Sequence, residues 1–231
     1  RNCDWSSDVC SSDLIKTVLL DMDGTLLDLH FDTHFWLEHV PMRYAEKNSL
    51  SIEASKKELY GRYKEVEGTI EWYCIDHWSR ELELNIVQLK KEVHHLIAVH
   101  PHVRDFLDAV RQSGRRAVLV TNAHSKSLDL KMKKTELGAY LDATHCSHDF
   151  GLPKEQPQFW EKLQEAEPYN PKTTLLVDDS LSVLRSAQSY GIAHLLAVYQ
   201  PDTKNPPKDV EDFEAIDNFK ELLPVPPFTE G

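Results

Sequence analysis

The sequence has neither a long apolar run nor a basic surface. Its clearest apolar runs, such as residues 17–20 and 195–198, are far shorter than the roughly 18 residues that a membrane-spanning helix needs. Lys and Arg number 26 against 38 Asp and Glu, which gives a formal net charge of −12. An acidic surface disfavours binding to a phosphate backbone. We therefore expect no membrane partner and no nucleic-acid partner, although one positive pocket could still hold a single nucleotide.

Cysteine is also sparse. Of the four cysteines, Cys3 and Cys10 lie close to the start of the chain, and Cys74 and Cys146 are far apart. The sequence has no CxxC pair and no zinc-finger spacing of Cys and His, so neither a disulfide framework nor a structural zinc site is expected. Free thiols are typical of a reducing compartment, and we expect a cytoplasmic protein.

The remaining composition is that of an ordinary globular protein. With 231 residues, of which 41% are hydrophobic and 28% charged, the chain is long enough for one large domain or for a core with a small insert. Residues 1–14 show neither helical nor strand periodicity, and residues 4–14 (DWSSDVCSSDL) read like the translation of a sequencing-library adapter. We interpret residues 1–14 as a non-native, adapter-derived segment and leave them out of the fold prediction.

Short apolar runs alternate with longer helical patterns along the rest of the chain. The runs predict five strands, at residues 16–20, 116–121, 143–146, 173–177 and 194–198. Helical patterns of ten or more residues separate the later strands, at residues 102–112, 125–136, 157–166 and 180–190. This alternation predicts an α/β fold, a Rossmann-like parallel sheet with helices on both faces.

Residues 31–97 interrupt that pattern. They contain no convincing strand and predict three to five helices. Because they follow the first strand, they form an insertion over the strand ends where open α/β sheets bind ligands. We therefore expect an α/β core made of residues 15–30 and 99–223, an inserted helical cap at residues 31–98 and a tail at residues 224–231.

Polar residues follow three of the predicted strands, at the point where each apolar run stops. They are Asp21 and Asp23, Thr121 and Asn122, and Asp178 and Asp179. The ends of parallel strands meet at one edge of the sheet. Four carboxylates in one place repel one another unless a cation neutralises them. Oxygen ligands without a nearby His or Cys favour Mg²⁺, so we expect a magnesium site there, although any one of these acids alone would be read as a solvated loop residue.

Lys154 belongs to the same set for another reason. It lies in the loop Phe-Gly-Leu-Pro-Lys-Glu at residues 150–155, whose Gly and Pro restrict the path of the backbone. A lysine held there can balance carboxylates and bind a phosphate as a point charge. The alternative for Lys154 is an ordinary surface lysine.

These residues carry a resemblance to a known family. The segment DMDGT at residues 21–25, after an aliphatic strand, resembles the first motif of the haloacid dehalogenase (HAD) superfamily of phosphotransferases. Thr121, Lys154 and residues 178–180 stand in the order of that family's second, third and fourth motifs. The resemblance extends from residue 15 to about residue 223, and the insertion corresponds to the family's helical cap.

The resemblance implies a magnesium-dependent phosphomonoester hydrolase. Asp21 would be the nucleophile that forms an aspartyl-phosphate, and Asp23 would protonate the leaving oxygen and later deprotonate water. The ligands of Mg²⁺ would be the Asp21 carboxylate, the Asp23 backbone carbonyl and an acid of the pair Asp178 and Asp179, with Asp179 the first choice.

The same resemblance implies how the substrate is held. Thr121, the backbone amide of Asn122 and Lys154 would bind the phosphoryl oxygens. Within the family, residues 31–48, 71–79, 121–132 and 148–160 resemble the bacterial purine 5′-nucleotidases that hydrolyse GMP and IMP. The substrate implied is therefore a small phosphate ester, a purine nucleotide. The oligomeric state is not indicated.

Other functions remain open at this point. A sugar phosphatase or a β-phosphoglucomutase-like phosphomutase shares all four motifs and a helical cap, and a non-catalytic HAD-type binding scaffold is an alternative from another class. A receiver-like signalling domain is excluded by motif order, because its acidic pair comes before its phosphoacceptor.

Aromatic residues of the insertion allow two interpretations. They are Phe35, Trp36, Trp72, Tyr73 and Trp78. They could stack on a purine base, but their roughly helical spacing favours a small core of the cap itself.

Overall fold

A computed structural model describes residues 14–228. The segment that we interpret as adapter-derived lies outside the described residues apart from Leu14. Within the described residues, six strands form one parallel sheet: β1 (Thr17–Leu20), β2 (Arg116–Thr121), β3 (Ala143–Cys146), β4 (Thr174–Asp178), β5 (His194–Val198) and β6 (Ala215–Ile216). The strand order is β3-β2-β1-β4-β5-β6, which places β1 inside the sheet.

Helices connect the strands and cover the sheet. Between β1 and β2 lie α1 (His30–His34), α2 (Val40–Asn48), α3 (Ile52–Val66), α4 (Ile70–Tyr73), α5 (Ile75–Glu81), α6 (Ile86–Glu92) and α7 (Val103–Gln112). The later helices are α8 (Ser125–Thr135), α9 (Ser147–Phe150), α10 (Pro157–Ala166) and α11 (Leu181–Tyr190). A π-helical segment, Phe35–His39, joins α1 directly to α2. No helix within residues 14–228 is both long enough and apolar enough to cross a membrane.

The two faces of the sheet carry separate apolar layers. Because side chains alternate along a strand, Val18 and Leu20 of β1 join the core that contains Phe106 of α7 and extends into the helical insert. Leu19 points to the opposite face, where Trp160 of α10 belongs to a second core. Helices on both faces of a parallel sheet, with a helical insert after β1, confirm the predicted fold class.

Three neighbouring strands end within two residues of the same level. Leu20 of β1 is in register with Leu119 of β2 and Val177 of β4. β1 stops at this level, whereas β4 continues to Asp178 and β2 to Thr121, so the predicted acidic and polar strand ends come together at one edge of the sheet.

One strand was absent from the prediction. Ala215–Ile216 pairs in parallel with β5 at the edge of the sheet. It has two residues and no apolar run of its own, so its position depends on its pairing with Ala197 and Val198 and not on a local sequence pattern.

The helical insert has an aromatic core. The rings of Trp36, Tyr63, Trp72 and Trp78 meet mostly edge to face, and the Tyr63 and Trp78 centroids are 5.0 Å apart. Trp78 is 2% exposed and anchors this cluster. Such contacts add to the stabilisation that the buried aliphatic side chains of the insert provide.

Candidate active site

One cavity of about 450 Å³ lies at the carboxyl end of the sheet, beneath the helical insert. Its lining includes all seven residues predicted for the site: Asp21, Asp23, Thr121, Asn122, Lys154, Asp178 and Asp179. The structure therefore brings together residues that are as much as 158 positions apart in the sequence, from Asp21 to Asp179.

A buried lysine lies between the first and last acidic strand ends. The Nζ atom of Lys154 is 2.5 Å from Oδ1 of Asp21 and 2.6 Å from Oδ2 of Asp178. Lys154 also donates to the Val120 carbonyl at 3.1 Å and is 2% exposed. A buried ammonium needs such compensation, because an unpaired ion in the interior is strongly destabilising.

Lys154 neutralises only part of the negative charge of Asp21 and Asp178. Burial raises the pKa of Asp21 and that of Asp178 to about 6, and Lys154 offsets only part of that rise. Burial also acts to lower the pKa of Lys154, but Asp178 and Asp21 outweigh it and hold that pKa above its usual value. Lys154 is therefore an ammonium at neutral pH, and the acids beside it have excess negative charge for another cation.

Asp179 occupies space that only a glycine leaves free. Gly24 has a φ of +90°, and a Cβ atom there would lie 2.7 Å from Cγ of Asp179. On its other side, Asp179 accepts a hydrogen bond from Nζ of Lys208 at 2.7 Å. Burial raises the pKa of Asp179, and Lys208 and Gly24 together fix where its carboxylate lies.

Three carboxylates have the geometry of a metal site. Oxygen atoms of Asp21, Asp178 and Asp179 lie within 4.8 Å of one another, and no other cluster of three acids, His or Cys with this spacing occurs among residues 14–228. Hard oxygen donors without nitrogen or sulfur fit Mg²⁺. The carboxylate of Asp23 lies outside this trio, so a contact between Asp23 and the ion would come from its backbone carbonyl, as the resemblance implies.

Asp23 sits in a tight turn after β1. The Gly24 N–H donates to the Leu27 carbonyl at 2.7 Å, and the Leu27 N–H donates to the Met22 carbonyl at 2.8 Å. Oδ1 of Asp23 accepts a hydrogen bond from Nζ of Lys131 at 2.6 Å. Burial raises the pKa of Asp23 to about 7, although Lys131 acts in the opposite direction. The turn thus aims a second carboxyl group, able to hold a proton near neutral pH, into the cavity.

The side chain of Asn122 has a contact that the sequence did not predict. Its Oδ1 accepts from the Lys154 backbone N–H at 2.9 Å, and its Nδ2 donates to Glu155 Oε2 at 3.0 Å. The Tyr73 hydroxyl donates to the other Glu155 oxygen at 2.5 Å. Asn122 therefore fixes the loop that carries Lys154, and Glu155 links this loop to α4 of the helical insert.

Aromatic side chains form the upper wall of the cavity. They are Trp36, Tyr63, Trp72, Tyr73 and Trp78. Most of them also belong to the aromatic core of the insert, which confirms the interpretation of these rings as a core, whereas stacking on a purine base stays a prediction.

Charged residues missed by the sequence reasoning complete the wall. They are Asp32, Lys90, Lys131, Glu155 and Lys208. Lys131 had one detectable signal: it lies between the buried residues Leu128 and Thr135 of α8, on the apolar face of that helix. A charge at such a position requires a buried partner.

Comparisons with known proteins agree with this geometry. A family profile described as haloacid dehalogenase-like hydrolase matches residues 15–191. The GMP/IMP nucleotidase YrfG of Escherichia coli is 36% identical over 210 residues, covering 91% of this chain and 95% of that protein. A phosphoglycolate phosphatase of Nitrosospira multiformis is 30% identical over 209 residues, covering 87% and 89%. The solved structure of a HAD phosphatase from Thermococcus onnurineus matches with a TM-score of 0.75 at 22% identity, covering 90% and 95%, which supports the fold.

Proposed function

The chain belongs to the haloacid dehalogenase-like hydrolases and is a phosphatase, and from this premise we propose that it hydrolyses purine nucleoside 5′-monophosphates, GMP and IMP, with Mg²⁺ as cofactor. The observation that carries the phosphatase chemistry is the convergence of Asp21, Asp178 and Asp179 around a buried Lys154. The purine substrate is supported by the similarity to a relative named for GMP and IMP and by the aromatic wall.

In the proposed reaction, a carboxylate oxygen of Asp21 forms a bond to phosphorus as the bond to the ester oxygen breaks. Asp23 gives its proton to that leaving oxygen, and the products of this step are the free nucleoside and an aspartyl-phosphate. Asp23 then takes a proton from water, whose oxygen attacks phosphorus and releases phosphate and the Asp21 carboxylate.

The remaining site residues stabilise charge on the transferred group. We assign Thr121, the backbone amide of Asn122 and Lys154 to the phosphoryl oxygens, whose charge redistributes as the ester bond breaks. Asp21, the Asp23 carbonyl, Asp178 and Asp179 would hold Mg²⁺, which supplies further positive charge at that position. Asp179 is the preferred ligand of the acidic pair.

The upper half of the cavity suits a nucleoside. A flat purine can stack on aromatic rings such as Trp36 and Trp72, because every base offers a π-face. In this proposal the cap, residues 31–98, holds the base. The core, residues 15–30 and 99–223, holds the phosphate. The free thiols of Cys74 and Cys146 support the cytoplasmic location that we also propose.

The decisive variant is Asp21→Asn. It removes the nucleophile with almost no change in volume, so Mg²⁺-dependent phosphate release is expected to fall at least about 1000-fold while the fold persists. Asp129→Asn, an exposed position on α8, is the matched control and should keep wild-type turnover. Near-normal turnover in the Asp21 variant, with its circular dichroism unchanged, would exclude Asp21 as the nucleophile.

A substrate panel separates the proposed substrate from its competitors. GMP and IMP should exceed hexose phosphates and phosphoglycolate in kcat/KM. The similarity to a phosphoglycolate phosphatase keeps a small phosphorylated acid or sugar as the second candidate, and a preference for those esters would replace the nucleotide in the proposal. The non-catalytic scaffold is not supported, since the chain is a phosphatase.

A further inference from the structure

Four charged side chains form a buried row that starts at the cavity. Nζ of Lys131 is 2.6 Å from Oδ1 of Asp23 and 2.5 Å from Oδ2 of Asp32. Nζ of Lys90 is 2.8 Å from the other oxygen of Asp32. Lys131 is 1% exposed and Lys90 is 3% exposed. Two buried cations and two partly buried anions thus alternate along this row.

The row is assembled from four separate elements. Asp23 comes from the turn after β1, Lys131 from α8, Asp32 from α1 and Lys90 from α6. Lys90 also lies over the rings of Phe31 and Phe35, at 4.9 and 4.5 Å from their centroids. Cation–π contact helps to hold that end of the row in place. Rigid, packed partners on both sides therefore leave Lys131 one position for its ammonium.

We propose that Lys131 is a positioning residue for Asp23 in the phosphatase reaction. Its ammonium holds Oδ1 of Asp23, while Oδ2 has no hydrogen bond to any of residues 14–228 and belongs to a carboxyl group that lines the cavity. Because Lys131 fixes Oδ1, Oδ2 is directed toward the position of the leaving ester oxygen. Asp32 and Lys90 keep the Lys131 ammonium in place from the side of the helical insert. This inference rests on the proposed acid–base role of Asp23.

A merely structural role for Lys131 makes a different prediction. If Lys131 only neutralised buried charge, its replacement would weaken every substrate's turnover alike. If it positions Asp23, its replacement impairs the transfer of a proton to the leaving group. The impairment then depends on how much the leaving group needs that proton.

The test compares two leaving groups in a single turnover. A nucleoside 5′-oxygen leaves as an alcohol and needs a proton, whereas p-nitrophenolate is a stable anion and does not. In K131M, nucleoside release from GMP should slow at least about 100-fold, the usual size of a general-acid contribution. The first release of p-nitrophenol from p-nitrophenyl phosphate should change less than about threefold. K133M, an exposed position on the same helix, should match the wild type with both substrates.

Asp23 variants separate failure of this inference from failure of the proposed function. D23N should show the same split between the two leaving groups, and D23N/K131M should add no further loss, because both changes remove one coupled step. Absence of the split in D23N would mean that the acid–base role of Asp23 is wrong. The other informative outcome is that D23N slows GMP much more than p-nitrophenyl phosphate, whereas K131M slows both substrates equally or slows neither. That outcome would overturn the role of Lys131 and leave the proposed function intact.

Two further variants protect the test against loss of folding. K131M removes one of the two cations that Asp23 and Asp32 share, so D32N/K131M restores the balance of charge and should show the same split as K131M. K131R keeps a cation at this position and should recover nucleoside release to within about tenfold of wild type. A folded K131R enzyme that is as slow as K131M with GMP, but also slow with p-nitrophenyl phosphate, would contradict the proposal.

Discussion

At the scale of single residues, Gly24 has two constraints that no other amino acid meets. Its φ of +90° lies in the region that residues with a Cβ atom rarely adopt, and the space beside it is filled by the carboxylate of Asp179. The same residue therefore permits the turn that carries Asp23 and the approach of a candidate metal ligand.

We predict that Gly24→Ala weakens both stability and metal binding. The left-handed backbone costs about 1–2 kcal/mol in the free energy of unfolding, and the added methyl group displaces the Asp179 carboxylate. Urea unfolding and a calorimetric Mg²⁺ titration measure the two effects, and the Mg²⁺ affinity should fall at least about tenfold.

Gly61→Ala is the matched control for that variant. Gly61 lies inside α3, and a Cβ atom there meets nothing within 4 Å beyond its chain neighbours and the backbone of its own helix. This change should increase stability by about 0.5–1 kcal/mol through helix propensity and leave Mg²⁺ binding unaltered. Equal Mg²⁺ affinity in the Gly24 variant and the wild type would contradict the role of Asp179 as a ligand.

At the scale of elements, the loop with Lys154 and helix α4 meet through one carboxylate. Glu155 accepts from Tyr73 of α4 and from Asn122 after β2. A second contact between insert and core joins Asp76 of α5 to Lys126 of α8, with 2.5 Å between Oδ1 and Nζ. The first contact is half-buried and the second exposed, so the first should contribute more to holding α4 over the cavity.

We predict that Tyr73→Phe raises KM without unfolding the protein. The variant leaves one Glu155 oxygen without its donor, which costs about 1–2 kcal/mol in the state with α4 against the loop. KM should rise about three- to tenfold while kcat changes less than about twofold. Tyr60→Phe is the control, because the Tyr60 hydroxyl donates to the Leu37 carbonyl, at 3.3 Å, within the insert. Identical KM values for the two variants would show that the Tyr73 contact does not assist substrate binding.

The elements also show what sequence reasoning can reach. Strands β1 to β5 and the acids at their ends were predictable, because buried parallel strands have continuous apolar runs and end in polar residues. The charged residues that surround these strand ends were not predictable. Glu155, Lys90 and Lys208 look like surface residues in the sequence, and their partners lie far away along the chain.

At the scale of the whole molecule, the site concentrates negative charge inside an already acidic protein. Burial raises the pKa of Asp21 and Asp178 to about 6 and that of Asp23 to about 7. Without a metal, these three carboxyl groups therefore bind more protons in the folded protein than in the unfolded chain between about pH 4 and pH 7, and together they outweigh His148, whose pKa burial lowers to about 4. The sign of this difference makes the metal-free fold more stable as the pH falls through that range.

Asp32 acts in the opposite direction. Burial alone would raise its pKa, but Lys131 and Lys90 outweigh burial and hold that pKa well below its usual value. Its contribution to stability is present above the ordinary pKa of an aspartate, about 4, and is lost as the pH falls further.

We therefore predict a bell-shaped stability profile for the protein in EDTA. The free energy of unfolding in urea should rise from about pH 8 to about pH 5 and fall below about pH 4. Saturating Mg²⁺ should reduce the rise between pH 8 and pH 5, because the bound ion stabilises the ionised carboxylates of Asp21, Asp178 and Asp179 but not that of Asp23. Stability in EDTA that grows steadily toward pH 8 would contradict the charge arrangement described above.

The ring cluster over the cavity has an optical consequence. Indole emission responds to the polarity of its surroundings and to stacked partners, and Trp36, Trp72 and Trp78 all line the cavity. The wall of the cavity thus contains fluorophores of its own, so ligand binding can be followed by tryptophan fluorescence intensity in a stopped-flow instrument, without an attached dye or a coupling enzyme.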